Sequence, residues 1–304
     1  MRENTPQIQT ESPKIKKKNK WLGRLGFFIA FFIIGGVVIS LFYKDNINVL
    51  VVGIDGRRTD TMILINVDTQ ENTVHAVSIP RDTYFPTEGK NYLGQKKINA
   101  IYGFKEGGGP DGVVNAVERL MDIEIDHFVL VNYDGIAAIV DLIGGVEIEV
   151  PFRMQYDDIY ATPPLHIDFQ PGLQTIDGQD AMPYLRFRKS NDGSISEGDV
   201  QRIVRQQDFI KTAAKKVISL KLPYLVYKGL DYVETDMPAL KGALIATSLI
   251  GMSPDNIDTL TLPMASIGRG DDGLSYFFHD EAASKALLDN WPKPEPEEEP
   301  ETEE

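Results

Sequence analysis

Leu25 to Tyr43 is a run of nineteen residues without a charged side chain. It is apolar on every face and long enough to cross a bilayer as a helix. A cleaved secretory signal would have a shorter apolar stretch and a small-residue cleavage site, and neither is evident. The run divides the chain into a short tail, residues 1–24, and a large remainder. Lys14, Lys16, Lys17, Lys18, Lys20 and Arg24 cluster in the tail. Basic residues on that side predict a cytoplasmic N-terminus, with everything from Lys44 onward outside a single-pass cell membrane anchor. The first 44 residues hold eight basic and two acidic side chains, whereas the net charge of the chain is −14. The outer part is therefore strongly acidic, which argues against nucleic acid as a partner. The chain has no cysteine, so disulfides, thiolate metal sites and cysteine nucleophiles are excluded.

Residues 45–291 read as one α/β domain, a mixed sheet with flanking helices, followed by an unstructured acidic Pro/Glu tail over 292–304. Ile47-Asn-Val-Leu-Val-Val-Gly53 has the pattern of a buried strand. Thr61 to Val67 and Thr73 to Ile79 are further strands joined by the turn Asp68-Thr-Gln-Glu-Asn72, which predicts a hairpin. Helices are expected over Asp111–Met121, Asp134–Ile143, Asp177–Tyr184, Asp199–Leu220, Pro238–Ile250 and Glu281–Trp291, with Asp236 as the cap of the fifth. Strands are expected over His127–Asn132, Val146–Val150, Asp258–Leu262 and Leu274–Phe278. Phe152 to Gln174 reads as irregular.

Three polar clusters interrupt the apolar pattern. The first, Gly53-Ile-Asp55-Gly-Arg57-Arg58-Thr-Asp60-Thr61, follows the first strand. Aspartates five apart across a turn are able to share one Mg²⁺, which favours carboxylate oxygen and water; an ordinary aspartate-capped turn is the competing reading. The second is Ser78-Ile-Pro80-Arg81-Asp82, where Arg81 would meet a phosphate and Asp82 would orient it, unless the two form a surface ion pair. The third is the densest. Arg186 and Arg188 are two apart and would point the same way if extended. Arg202, Arg205, Gln206 and Phe209 follow at i, i+3, i+4 and i+7 of a helix that Asp199 would cap. Two arginine pairs facing each other would make a fork-lined cavity for phosphate; a solvated charged helix is the alternative.

There is no Walker loop, nucleophile elbow or zinc-binding histidine pair. Arginines and aspartates remain, a set suited to phosphoryl transfer, where positioning and charge neutralisation supply most of the catalysis.

In that order the motifs resemble the LytR-CpsA-Psr (LCP) family. They comprise Gly53-Ile-Asp55, Arg58-Thr-Asp60-Thr61, Ser78 to Asp82, Lys97-Ile98-Asn99, Ile143 to Val146, Ile176 to Arg188 and Gly198 to Gln207. The resemblance covers about residues 45–215 well and the later segment loosely. It implies a membrane-anchored, Mg²⁺-dependent (or Mn²⁺-dependent) phosphotransferase. Such an enzyme moves a glycopolymer with its phosphate from a polyprenyl-pyrophosphate carrier to peptidoglycan, as in teichoic acid or capsule attachment. The implied acceptor is the 6-hydroxyl of N-acetylmuramic acid. By the same resemblance Asp55 and Asp60 would hold the metal, and Arg58, Arg81, Arg186, Arg188, Arg202 and Gln206 the pyrophosphate. Phe209 would sit at the mouth of a lipid groove, and Asp55, Asp60 or Asp199 would act as base. A lipid-binding envelope regulator without turnover, and a polyprenyl-pyrophosphate hydrolase, are the rival readings.

Overall fold

The computed structural model describes residues 45–289 apart from 91, 93, 162, 163, 198, 219 and 220. The apolar span read at 25–43 and the tails over 1–24 and 292–304 lie outside the described residues. Among the described residues no helix is long and apolar enough to cross a membrane.

The first strand, β1 (Asn46–Asp55), is apolar on both faces because it is covered on both. Leu50 and Val52 enter one core with Met62, Leu64 and Val77, while Ile47 and Val49 enter another with Val67 and Ile245. β1 pairs antiparallel with β2 (Arg58–Asp68), and β2 with β3 (Thr73–Ser78). The expected 68–72 turn joins the latter pair, with the Asp68 Oδ1 accepting from the backbone N–H groups of Gln70 and Glu71. β4 (His127–Val131) lies parallel to β1, and β10 (Ile257–Thr261) parallel to β3. With the two-residue β9 (Glu234–Thr235) they form a six-stranded mixed sheet of order β10-β3-β2-β1-β4-β9.

Helix α1 (Gly109–Met121) starts with Pro110 in its first turn and buries Val113, Ala116, Val117 and Leu120, one stripe at helical spacing, against the first face. On the other face lies α6 (Ala239–Ser248), which contributes Ile245. Asp236 does not cap that helix. Its Oδ1 accepts from Phe128 N–H at 2.9 Å and so ties the preceding loop to β4.

A second core is built beside the sheet, and here the expected irregular stretch over 152–174 is corrected. It contains β6 (Met154–Asp158), β7 (Leu165–Phe169) and the start of β8 (Gly172–Ile176). β6 pairs with β7, and β8 pairs with β5 (Val146–Val150). These strands are five residues each and are punctuated by Pro163-Pro164 and Pro171-Gly172, so their period-two signal is short. Long-range pairing stabilises them. Their inward residues Val146, Ile148, Met154, Ile167 and Phe169 pack against α2 (Tyr133–Leu142), α3 (Gly178–Arg186) and α4 (Asp199–Val217). Also not expected from the sequence are α5 (Leu222–Gly229), the two-residue β9 and β11 (Met264–Arg269), the last paired with β12 (Ser275–His279). The final helix is α7 (Glu281–Asp289).

Candidate active site

The first polar cluster is a continuation of two strands rather than a loop after one. β1 and β2 run to the pair Asp55–Arg58, closed by Gly56 and Arg57. Gly56 sits at φ 57°, a left-handed value that glycine tolerates without strain. The register then slips: Gly53 faces Thr61, but Ile54 faces Thr59. Asp60 is the extra residue of a β-bulge, a device that re-aims a side chain. On the other side of β1, the parallel register pairs Gly53 with Val131. Asp55 and Tyr133 each lie two residues beyond that pair, so they emerge together at one end of the sheet.

There the Tyr133 hydroxyl donates to Asp60 Oδ2 at 2.9 Å, and the Asp55 carboxylate also acts on it, raising its pKa. Burial, then the Asp60 charge, pushes the phenol well above its ordinary pKa of about 10. The hydroxyl is therefore a donor to the carboxylates and keeps its proton. Asp60 Oδ1 accepts from Arg81 at 2.8 Å. The expectation that Asp82 orients Arg81 is corrected: Asp82 pairs with Lys97 Nζ at 2.9 Å. Adjacent residues in a turn that leads away from β3 face different neighbours.

Arg81 and Asp60 line a narrow cleft whose opposite wall is α4, through Arg202, Ile203 and Gln206. Arg202 is only 8% exposed. Gln207 fastens the helix in place. Its Nε2 donates to Leu260 O at 2.9 Å, with Ser78 Oγ and Thr261 Oγ1 each at 3.2 Å. The anchoring point is thus the ends of β3 and β10, beside the cleft.

The i, i+3, i+4, i+7 stripe on α4 forms, but it straddles two neighbours. Arg202 and Gln206 face the cleft, whereas Arg205 and Phe209 belong to the second core. Arg205 is 7% exposed, paired with Glu197, donating to the Phe187 carbonyl and stacked on the rings of Tyr184 and Phe187. It is a structural residue rather than a pyrophosphate ligand. Phe209 is 4% exposed and packs on Tyr184 with ring centroids 6.0 Å apart, inside the core rather than at a groove mouth.

Arg186 and Arg188 are not an extended pair. Arg186 is the last residue of α3, two residues past the expected helix end, and its guanidinium lies 5.2 Å from the centre of the Tyr133 ring. Buried Phe187 separates it from exposed Arg188, whose side chain is not among the cleft's lining. Arg58 is exposed at the start of β2, its Nη1 donating to buried Asn99 Oδ1 at 2.9 Å. The Lys97-Ile98-Asn99 motif therefore works by holding Asp82 and Arg58. Asp199 opens α4; its side chain lies outside the described residues.

Among the described residues no group of three or more His, Cys, Asp or Glu side chains assembles as a metal site. Asp55 and Asp60 nevertheless suit Mg²⁺, which often takes one or two carboxylates and completes its shell with water and substrate phosphate. Both raise the pKa of one hydroxyl, and Asp60, which accepts a hydrogen bond on each oxygen, keeps further lone pairs free. Tyr133 is the residue that sequence reasoning missed. Its signal was position, just past the end of a strand parallel to β1.

A profile described as the LytR_cpsA_psr family matches residues 12–292. Among similar proteins is TagV of Bacillus subtilis, named a polyisoprenyl-teichoic acid–peptidoglycan teichoic acid transferase. It is 28% identical over 228 residues, covering 73% of this chain and 56% of TagV. The TagU proteins carry the same transferase name. That of B. subtilis is 35% identical over 183 residues, covering 59% of this chain and 54% of TagU. The chain thus spans little more than half the length of these two relatives. A TagU from Oceanobacillus iheyensis is 29% identical over 316 residues, covering 88% of this chain and 92% of that protein. The crystal structure of B. subtilis TagV superposes with a TM-score of 0.66 at 28% identity, over 81% of this chain and 97% of that one. The chain belongs to the LytR_cpsA_psr family.

Proposed function

We propose that this protein transfers a phosphate-linked glycopolymer from a polyprenyl-pyrophosphate carrier to a hydroxyl of peptidoglycan. The observation that carries this reading is the cleft that Arg81, held by Asp60 at 2.8 Å, and Arg202 of α4 both line. Two guanidinium groups lining one cleft supply the planar donors that phosphate oxygens take, and the transferase names of the relatives agree in chemistry. The acceptor oxygen attacks the phosphorus that bears the polymer. A new P–O bond forms, the bond to the lipid phosphate breaks, and polyprenyl phosphate leaves. Arg81 and Arg202 bind the transferred phosphoryl and the leaving phosphate, with Gln206 orienting them. The acceptor's proton passes to a carboxylate of the Asp55–Asp60 pair, of which Asp55 is the exposed member. A divalent cation bound to that pair would neutralise phosphate charge. The test is incubation of the full chain in detergent with radiolabelled lipid-linked polymer, Mg²⁺ and peptidoglycan. Label joined covalently to peptidoglycan is expected; label bound but unchanged, or released as free phosphorylated polymer, would defeat the reading.

The metal assignment has its own measurement. Mn²⁺ binding, followed by electron paramagnetic resonance, should disappear in Asp55→Asn. It should weaken about ten- to a hundredfold in Tyr133→Phe, since outer partners that orient ligands contribute that much. Equal binding in the wild type and both variants would remove the metal from this pair.

We place residues 1–24 in the cytoplasm and the catalytic residues outside, on the basic residues that precede the apolar run. Protease added to intact protoplasts should digest residues 45–291. Their survival until lysis would reverse the orientation and end the extracellular mechanism.

A further inference from the structure

A second cavity, of about 560 Å³, opens at the C-terminal ends of β1 and β4. That is where ligands bind in open α/β sheets, and the volume is that of a small-molecule site. Ile54 and Asn132 form part of its wall, and they are the chain neighbours of Asp55 and Tyr133. The cavity thus opens at the same end of the sheet as the carboxylates, one residue along the chain from Asp55 and Tyr133, and shares no lining residue with the arginine cleft. Its wall is fixed by close packing. Asn132 Oδ1 caps α2 by accepting from Gly135 N–H at 2.8 Å. A Cβ on Gly135 would lie 2.4 Å from Tyr232 O, so the 231–234 segment rests directly on the helix start.

The chemistry of the two cavities is opposite. The first presents Arg81 and Arg202 beside Asp60; the second presents Asp134, Asp231 and Glu234 with no arginine, with Ala138 and the partly exposed ring of Tyr232 among its lining. Asp231 lies 3.6 Å from Lys228, and among the described residues no basic one lines the cavity. A phosphate-bearing donor would be repelled there. A hydroxyl-rich sugar would not: carboxylates accept from hydroxyls, and a tyrosine ring offers an apolar face with a polar tip.

From this we infer that the cavity beside α2 holds the saccharide acceptor, an assignment that deepens the transferase reading and rests on it for the role of acceptor. The donor enters from the arginine side, the acceptor from the acidic side, and the hydroxyl and the phosphorus meet at Asp55, Asp60 and Tyr133.

Two full-chain variants test it, Asp231→Asn combined with Glu234→Gln, and Ala138→Phe, which fills the cavity. At saturating lipid-linked polymer, the KM for uncross-linked peptidoglycan strands should rise about tenfold in each. The Kd for a fluorescent polyprenyl pyrophosphate should stay at the wild-type value. Saturation-transfer NMR with a soluble N-acetylhexosamine oligosaccharide, without donor, should show binding to the wild type that both variants lose. Melting temperature identifies a variant that has not folded, and the other then decides. Unchanged acceptor KM and unchanged NMR signal would overturn the assignment, as would a donor Kd that shifts as much as the acceptor KM. If the wild type transfers nothing, the transferase reading fails by itself. The NMR then decides the cavity: oligosaccharide binding lost in the variants upholds a saccharide site, and no binding to the wild type overturns it.

Discussion

Replacing Arg81 or Arg202 by lysine is expected to lower turnover by about a hundred- to a thousandfold, with melting temperature nearly unchanged. Lysine keeps the positive charge but loses the planar fork, so a bidentate phosphate contact becomes a single point contact. Preorganised groups aimed at charge that develops in the transition state are worth about 2.7–4 kcal/mol each. Both residues border one cleft, so under the proposed transfer both would serve one transition state. Residues acting as a unit are non-additive, and the double variant should lose less than the product of the single losses. Were Arg81 only the partner of Asp60 in a partly exposed ion pair, each swap would change little, because such pairs near the surface contribute about 0–1 kcal/mol. Single-turnover rates of the full chain with lipid-linked polymer decide the matter; near-wild-type rates in both single variants would dissolve the shared site.

Arg205→Ala should behave in the opposite way. It should unfold the protein at a lower temperature while leaving little trace on the rate below the melting point. The substitution strands the partly buried Glu197 carboxylate, leaves the Phe187 carbonyl without its donor and removes a guanidinium packed on two rings. Breaking a buried ion pair from one side costs about 3–5 kcal/mol, and at this chain length each kcal/mol shifts the midpoint by roughly 2–4 °C. Removing both charges together, Arg205→Met with Glu197→Leu, should recover much of the loss, since no uncompensated charge remains. A single variant that melts like the wild type but loses turnover would return Arg205 to the phosphate site. The contrast between neighbours three residues apart on one helix is the point of the comparison: Arg202 is read by rate and Arg205 by stability.

Local chemistry made much of this protein legible in its sequence. The hairpin of β2 and β3 was readable because Asp68 and Asn72 carry turn chemistry within the few residues that form it. Helices α1, α2 and α4 were readable because a repeating apolar stripe and its end signals lie within one short segment. The residue types that meet at the end of the sheet were readable too, as arginines and aspartates gathered just past strand ends. What failed was whatever depends on a distant partner. The strands β6, β7 and β8 exist because they pair and share a core with α3 and α4, and five-residue segments between prolines do not carry that information.

The sequence by itself determined the inventory and the periodicity: which side chains are present, which local segments are helix or strand, and that Arg202, Arg205, Gln206 and Phe209 share a helix face. Only the tertiary structure decided which way that face divides. The second core claims Arg205 and Phe209, and the end of the sheet claims Arg202 and Gln206. It also gave Asp82 to Lys97 and brought Tyr133 to Asp60 from 73 residues away. Asp60 itself reaches the site through one bulged residue in the register of β1 against β2. The physical reason is the same in each case. A spacing of three or four residues fixes direction relative to the local helix or strand, whereas a side chain's partner is set by which distant backbone packs against that face.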